Sequence, residues 1–324
     1  MREEVELSDH IPFFDNRITR MFGIDIPIAN APMGGVASPG LVAAVANAGA
    51  MGLVPGSIGA KNALEFIGAL RTQTSFPFGV NVPVFFTEES IVEVLVEQQI
   101  RFVTTSTGPV PAFVARLQQA GTKVFHVVTS LDSAKQAADA GVDGLIVEGS
   151  EGGGLRGVAE IPLMVLLPLV TSRIDLPVIA AGGIADGRSM AAAFALGAEG
   201  VQIGTRMVAA VEAGVHDNLK NAIVSAETES IIINRHNQRP LRVLRTQTTE
   251  RYQDPSTGDA FKELMLGVYR LYQDGDMNAG FASVGQVAGR VEQVLPIAEI
   301  IRSMVDEFGQ AIVGLSAGYM RTLA

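Results

Sequence analysis

Short apolar runs alternate with stretches of helical period along most of the chain, and the alternation repeats eight times before residue 210. Each run ends near Gly, Pro, Ser or Asn, as buried strands do, and is followed by a stretch rich in Ala, Leu and Glu. Strands that are apolar on both faces belong in a parallel sheet covered by helices. The predicted strands are Ile26–Met33, Gly52–Pro55, Phe78–Val84, Arg101–Ser106, Lys123–Thr129, Gly144–Val147, Pro177–Ala181 and Gly200–Ile203.

Eight consecutive strand–helix units predict an α/β protein with a (β/α)8 TIM barrel. An open, doubly wound sheet is the alternative for the same alternation. Helix boundaries are marked by Ser38 and Gly49 for one helix and by Asp186 and Gly197 for another, with a third predicted over 88–98. Glycine at a helix end supplies the left-handed cap that lets the chain turn into the next strand.

The pattern changes after the eighth strand. Residues 208–275 hold two of the four histidines and an arginine-rich run, and we interpret them as a mainly helical insertion. A final amphipathic helix over about 296–308 is expected to pack back on the barrel. The predicted organisation is therefore a barrel over 1–207, the insertion over 208–275 and a C-terminal segment over 276–324.

Composition narrows the classes of function. The 324 residues are 48% hydrophobic and carry a net charge of −10, and no basic block offers a surface for nucleic acid. The absence of cysteine excludes disulfides, thiolate nucleophiles and Fe–S clusters, and the four histidines lack metal-ligand spacing, so no metal site is predicted. The acidic start does not resemble a signal peptide, and no apolar run reaches the ~20 residues of a membrane span. We expect a cytoplasmic protein that makes no membrane contact.

Two glycine-containing turns follow the seventh and eighth predicted strands, where TIM barrels commonly bind phosphate. Gly182 and Gly183 lie in the first turn, and Gly204 and Thr205 lie in the second. Glycines in such turns let backbone N–H groups point at an anion beside a helix N-terminus. The pair of turns predicts a phosphate site.

Three further features follow other predicted strands. The loop 148–157 is too rich in glycine for regular structure and is expected to approach a ligand closely. Asn81 interrupts an apolar run, and a buried amide at a strand end suits the N–H and C=O groups of a heterocycle. The backbone of 31–35, together with the side chain of Met33, has the shape to line a flat ring.

These motifs together resemble the nitronate monooxygenase (2-nitropropane dioxygenase) family, which contains FMN-dependent barrels and the FMN-type enoyl-acyl-carrier-protein reductases. The resemblance extends over about residues 20–300. It rests on Ala31-Pro32-Met33, Gly79-Val80-Asn81, the loop after Glu151, Ala181-Gly182-Gly183-Ile184-Ala185-Asp186-Gly187, Gly204-Thr205-Arg206, and Gly275-Asp276 leading to Gly285-Gln286-Val287-Ala288-Gly289.

The resemblance implies FMN as cofactor, with NAD(P)H as a candidate electron donor. The phosphate-binding residues that it implies are Gly182, Gly183, Gly204 and Thr205. The residues that it places around the isoalloxazine are Ala31, Pro32, Met33, Asn81, Gly153 and Gly154, with Gln286 closing the site. Bound FMN would supply the redox chemistry, and the protein would supply binding and orientation.

The chain departs from the family at two positions. Leu155 stands where relatives place a histidine after the paired glycines, and Val127-Val128 stand where many relatives carry a lysine, which is closer to the enoyl-reductase subgroup. Chemistry through a carbanion or enolate still needs a proton partner. The candidates for that role are Glu151, His126 and His216.

The sequence therefore predicts an FMN-dependent oxidoreductase whose reduced flavin passes electrons to oxygen or to an activated alkene. The first alternative is an NAD(P)H-dependent enoyl-thioester reductase. Two others are a phosphosugar isomerase or synthase that uses the same phosphate loops without flavin, and a flavin binder without catalysis. The expected partners are a small-molecule or carrier-bound acyl substrate and a second copy of the chain in a homo-oligomer.

Overall fold

The computed structural model describes residues 14–86, 88–226, 230–236 and 239–319, so 1–13 of the predicted barrel and 320–324 of the predicted C-terminal segment lie outside it. An eight-stranded parallel sheet confirms the predicted TIM barrel. All eight predicted strands are present, with ends shifted by at most three residues. The barrel strands are β1 (Ile28–Asn30), β2 (Gly52–Pro55), β3 (Phe78–Pro83), β4 (Phe102–Ser106), β5 (Lys123–Val128), β6 (Gly144–Glu148), β8 (Val178–Ala181) and β9 (Gly200–Ile203).

The sheet closes on itself between its two edge strands, which excludes the open doubly wound alternative. The strand order is β1-β9-β8-β6-β5-β4-β3-β2, and a parallel bridge joins Ala29 to Met51. The buried side chain of Asn30 adds two hydrogen bonds between β1 and β2. Its Oδ1 accepts from Leu53 N–H at 2.7 Å, and its Nδ2 donates to Leu53 C=O at 3.0 Å. A side-chain amide therefore supplies hydrogen bonds that a longer β1 ladder would have made.

Helices cover the outside of the barrel; those predicted after Ser38 and Asp186 begin there, and the one predicted over 88–98 spans Ser90–Glu97. The Ser38 hydroxyl accepts from Leu41 N–H at 3.0 Å, and Asp186 forms a capping box with Ser189. The helices are α1 (Arg17–Phe22), α2 (Pro39–Asn47), α3 (Ala60–Arg71), α4 (Ser90–Glu97), α5 (Val114–Gln119), α6 (Leu131–Asp139), α7 (Leu163–Thr171), α8 (Gly187–Ala195), α9 (Thr205–Val208), α10 (Asp217–Val224), α11 (Gln247–Arg251), α12 (Ala260–Leu264) and α13 (Ile297–Tyr319).

The amino end of the barrel interior is filled by an apolar cluster beneath α1. The rings of Phe22, Phe102 and Phe125 pack with centroids 4.0 to 5.4 Å apart, and Ile18 and Leu53 belong to the same cluster. Glycines provide the room for these rings. A Cβ at Gly144 would lie 2.2 Å from the Phe125 ring, and a Cβ at Gly79 would lie 2.7 Å from the Phe102 ring.

The segment after β9 carries helices, as predicted, but it also contains an antiparallel hairpin that the sequence analysis did not predict. Strands β10 (Ile231–His236) and β11 (Arg239–Val243) form the hairpin, and the two-residue strand β7 (Gly154–Leu155) pairs with β11. The hairpin core contains Ile231, Leu241 and Phe281, and Leu155 packs against it. The glycine-rich loop after β6 is thereby joined to the insertion.

The C-terminal segment ends in α13, which begins where predicted but is longer. It packs against α8, and Gly187 allows this close approach because a Cβ there would lie 2.2 Å from Met304 C=O. In the part of the chain that the structure describes, no helix combines the length and the apolar character needed to cross a membrane.

Candidate active site

A cavity of about 550 Å³ opens at the carboxyl ends of the barrel strands, where TIM barrels carry their active sites. Several predicted ligand-contacting residues line it: Ala31, Pro32, Met33, Asn81, His126 and Gly153. Leu155, at the position where the family's histidine was expected, also lines it. The prediction that the strand-end motifs converge on one site is therefore consistent with the cavity's position.

Asn81 lies on β3 and is held by the neighbouring strand β4. Its Nδ2 donates to Thr104 Oγ1 at 2.8 Å and to Ser106 Oγ at 3.3 Å, and the side chain is buried. Because the nitrogen is engaged by β4, the amide oxygen is the atom that Asn81 offers to a ligand in the cavity.

His126 is the imidazole that the structure brings to the cavity. It is 4% exposed, its Nδ1 lies 2.7 Å from Thr105 Oγ1, and the ring also bonds the backbone of Gly108. Burial lowers the pKa of His126 to about 4. The hydrogen bond with the Gly108 backbone has the opposite, smaller effect on this pKa. The imidazole is therefore neutral at physiological pH and is a weak base.

Besides serines and threonines, the polar residues that line the cavity and that the sequence analysis did not single out are Glu148, Arg156, Gln202 and Tyr272. Gln202 Oε1 and Arg156 Nε are buried without a hydrogen-bond partner among the described residues. Gln202 interrupts the apolar strand β9 in the way that Asn81 interrupts β3, so the same reasoning would have found it. Tyr272 comes from a π-helical turn at 270–274 and packs on Gly35, and no local pattern marks it.

Glu148 and Arg156 form an ion pair in the cavity wall. Glu148 ends β6, and the Arg156 guanidinium bonds both its carboxylate and Gly149 C=O. The Arg156 backbone N–H donates to Pro240 C=O at 2.8 Å, which places the residue against the hairpin.

The predicted phosphate residues lie beside the cavity rather than in its wall. Gly182 and Gly183 have φ of +90° and +74°, the left-handed conformation that favours glycine. Gly204 faces Met33, with a Cβ there 3.7 Å from Met33 Sδ, and Thr205 Oγ1 accepts from Gly285 N–H at 2.8 Å. The first turn therefore packs on the loop after β6, and the second turn contacts the C-terminal segment through Thr205.

The loop after β6 is fastened to that same segment. Gln286 N–H donates to Glu151 C=O at 2.9 Å, and a Cβ at Gly153 would lie 2.7 Å from the Val284 backbone. Gly154 has φ of +83°. Gln286 contacts the loop through its backbone, its side chain is not among those lining the cavity, and its closing role stays a prediction.

Two of the three predicted proton-transfer candidates lie outside the cavity wall. The Glu151 carboxylate accepts from Leu163 N–H at 2.9 and 3.0 Å, at the start of α7. His216 is exposed and precedes α10, where its Nδ1 accepts from Asn218 N–H at 3.1 Å. Both side chains therefore have helix-capping contacts, and only His126 faces the cavity.

Comparison with known proteins identifies the family. The sequence model of the nitronate monooxygenase family matches residues 15–90 and 84–307. The chain belongs to the nitronate monooxygenase family. This confirms the resemblance, and the family, together with the structural neighbours below, consists of flavin-dependent oxidoreductases.

Relatives of this nitronate monooxygenase family member differ in activity. A Rhodococcus jostii "(3aS,4S,5R,7aS)-5-hydroxy-7a-methyl-1-oxo-octahydro-1H-indene-4-carboxyl-CoA dehydrogenase" is 36% identical over 71% of this chain, and the match spans 65% of that protein. FabK from Thermotoga maritima, an enoyl-ACP reductase, superposes with a TM-score of 0.86 at 37% identity, over 93% of this chain and 98% of that one. A nitroalkane oxidase from Streptomyces ansochromogenes gives 0.80 at 28% identity, over 93% and 100%.

The cavity of this nitronate monooxygenase family member fits a flavin. Gln202 Oε1 needs a donor, and a flavin ring carries an N–H group. The glycines at 182 and 183 form a left-handed turn beside the cavity, and a Cβ at 182 would approach Gly149 C=O to 2.9 Å, so this turn requires glycine. An unpaired acceptor for the ring and a glycine turn for the phosphate are features that a bound flavin needs.

Proposed function

We propose that the protein is an FMN-dependent reductase that transfers electrons to a conjugated carbonyl compound, with acyl thioesters as the substrate class. The observation that carries this proposal is the cavity wall, which offers polar groups for a ring and an oxygen but, among the residues that the structure describes, only a weakly basic imidazole and a paired carboxylate as bases. When bound, FMN supplies the hydride and single-electron chemistry. NAD(P)H is the proposed electron donor.

FMN is assigned to specific residues in this proposal. The turns containing Gly183 and Thr205 hold the phosphate, because backbone N–H groups and the Thr205 hydroxyl are its natural donors. Asn81 and Gln202 orient the ring from β3 and β9, and Met33 packs against its face.

The acid–base groups argue against chemistry that begins by removing a proton from carbon. His126 is neutral with a pKa of about 4, and Glu148 is paired with Arg156. The Glu151 carboxylate is occupied by Leu163 N–H. A general base contributes about 10²–10⁴ in rate, so we expect neutral nitroalkanes to be poor substrates. Preformed nitronates need no such step and are the second candidate substrate class, favoured by membership of the family.

The cavity mouth favours an apolar acyl group. Phe85, Phe86 and Val158 line it and are 59%, 47% and 66% exposed, and Leu155 extends the apolar surface inward. Two similar proteins act, by their names, on a carboxyl-CoA and as an enoyl-ACP reductase, and both compounds are acyl thioesters. An apolar entrance in front of polar strand ends suits an alkyl chain that leads to a carbonyl group.

The test begins with cofactor identity and then asks which compound reoxidises the flavin. Purified protein should absorb at about 450 nm and release FMN on denaturation, identified by mass spectrometry. The flavin is reduced anaerobically with NADH or NADPH and mixed with crotonyl-CoA, a quinone or oxygen, and the oxidised flavin is separately mixed with ethyl nitronate. Fastest reoxidation by crotonyl-CoA is expected. Reduction of the oxidised flavin by ethyl nitronate, with reoxidation by oxygen and not by crotonyl-CoA, would establish the second candidate, and protein without flavin would refute both.

Leu155→His tests the missing base directly. The substitution places an imidazole in the cavity wall, and we expect measurable oxidation of neutral nitroethane, which the parent protein should oxidise weakly or not at all. Leu64→His on the exposed face of α3 is the control for an added imidazole. Robust nitroethane oxidation by the parent protein would show that a residue already present acts as the base.

A further inference from the structure

One ion pair sets the electrostatics of the cavity wall. Among the described residues that line the cavity, Glu148 and Arg156 are the two that carry a charge at neutral pH. The Arg156 side chain is 2% exposed, and the Glu148 side chain is 23% exposed. A buried arginine retains its charge, because a guanidinium does not lose its proton in proteins.

Arg156 is held rigidly but is not saturated. Its Nη1 bonds the Glu148 carboxylate, its Nη2 bonds Gly149 C=O, and its Nε has no partner among the described residues. An unmade hydrogen bond from a buried charged donor is costly, and native structures relieve such a cost with a ligand or a bound water. Arg156 lines the cavity, so its unmade hydrogen bond lies next to the space that a ligand would occupy.

We propose that Arg156, oriented by Glu148, binds and polarises the carbonyl oxygen of the compound that this cavity accepts. The proposal deepens the proposed function and rests on it for the class of substrate. A charged donor makes hydrogen bonds roughly twice as strong as those of the neutral hydroxyls in the same wall, such as Thr129 and Ser106. When negative charge builds up on the bound oxygen, the guanidinium stabilises it without moving.

Glu148 both orients the Arg156 guanidinium and offsets its charge. Its carboxylate fixes the guanidinium through Nη1 and cancels most of its charge. The intact pair therefore accepts a neutral carbonyl oxygen and an anionic oxygen with similar preference. Loss of the Glu148 charge alone should leave a buried cation that selects anions.

The test uses two small probes of nearly the same shape, crotonate and crotonamide, titrated into oxidised holoenzyme while the flavin absorbance is followed. Crotonate is an anion at neutral pH, and crotonamide is neutral. Arg156→Met removes the donor and should raise Kd for both probes about 10- to 100-fold, and Arg156→Lys should recover part of the loss. Arg116→Met, on the outer surface, where Arg116 pairs with Glu93, is the control and should leave both Kd values unchanged.

Glu148→Gln keeps the side-chain shape and provides a second test in case Arg156→Met does not fold. Crotonate should bind about 10-fold more tightly than to the parent protein, and crotonamide should change little. The proposal is overturned if Arg156→Met binds both probes normally, if Glu148→Gln changes both Kd values alike or neither, or if the parent protein binds neither probe. Flavin content and reduction by NAD(P)H are measured on the parent protein, so a failure of the proposed function is seen separately.

Discussion

The two ends of the barrel interior are built from opposite kinds of residue. The amino end holds the rings of Phe22, Phe102 and Phe125, packed around a void of only about 10 Å³, whereas the carboxyl end holds buried Asn81 and other polar side chains around about 550 Å³ of open space. The same strands supply both ends. Apolar packing at one end provides stability that the unsatisfied donors and acceptors at the other end cannot.

Two successive residues of strand β5 lie in the two different environments. Phe125 points into the apolar cluster, and the next residue, His126, lines the cavity. Alternation along a strand places successive side chains on opposite faces of the sheet, so Phe125 and His126 meet different environments. Substitutions at the two ends should therefore separate stability from flavin binding.

The largest expected effect is at the amino end. Phe125→Ala should lower the free energy of unfolding by about 3–5 kcal/mol, because a cavity replaces a ring that contacts two others. The flavin spectrum of the folded fraction should not change. Urea unfolding measures the loss, and Phe76→Ala, at a site that is 48% exposed, should cost less than about 1 kcal/mol. Loss of flavin without loss of stability would contradict the division between the ends.

The next largest effect is expected at the glycine turn of residues 182 and 183. Gly183→Asp should raise the flavin Kd by about 100-fold or more, since it adds a side chain and a negative charge where a phosphate is proposed to bind. Gly183→Ala is the matched control, because it carries the same strain at φ +74° without the charge and should lose less affinity. Flavin per chain and Kd by fluorescence titration are the measurements. Equal flavin content in the aspartate variant and the parent protein would refute the phosphate assignment.

His126 should make stability depend on pH. Its pKa of about 4 lies below the ordinary value of 6.5, so between these values the unfolded chain binds a proton that the folded chain does not. The contribution is complete above pH 6.5 and is lost as the pH falls towards 4. Between pH 7.5 and 5 it amounts to about 2 kcal/mol. Urea unfolding at both pH values should show this loss in the parent protein and a smaller one in His126→Asn. An identical pH dependence in the two proteins would mean that His126 is not buried as described.

The smallest expected effect tests whether Asn81 contacts the flavin ring or only stabilises the fold. Asn81→Ala should shift the flavin absorption band or its redox behaviour while the free energy of unfolding changes by about 1 kcal/mol, the value of a typical hydrogen bond. Thr122→Val, which removes the hydrogen bond to Ile100 C=O at the amino end, is the control and should leave the spectrum unchanged. An unchanged spectrum in Asn81→Ala, together with a larger loss of stability, would assign Asn81 to the core.

Local pattern was sufficient for the barrel and for the glycine turns that follow its strands. Each strand–helix unit carries its own period, and several helices carry their own cap or terminating glycine, so the eight strands were predicted to within three residues. The turn at Gly182 and Gly183 was predictable for the same reason, because a positive φ is a requirement of the local backbone. Family membership followed from such turns in order along the chain.

Only the tertiary structure decided which side chains meet. It pairs Arg156 with Glu148 and brings Gln202 and Tyr272 to the cavity. It also pairs the strand of Leu155 with the strand of Leu241, and it leaves His216 on the surface. These contacts join residues that no helix or strand periodicity relates. Leu155 and Leu241, for example, are 86 positions apart. Periodicity reports which face of an element is buried, whereas the partners across a cavity depend on how separate elements pack, and that information is not local.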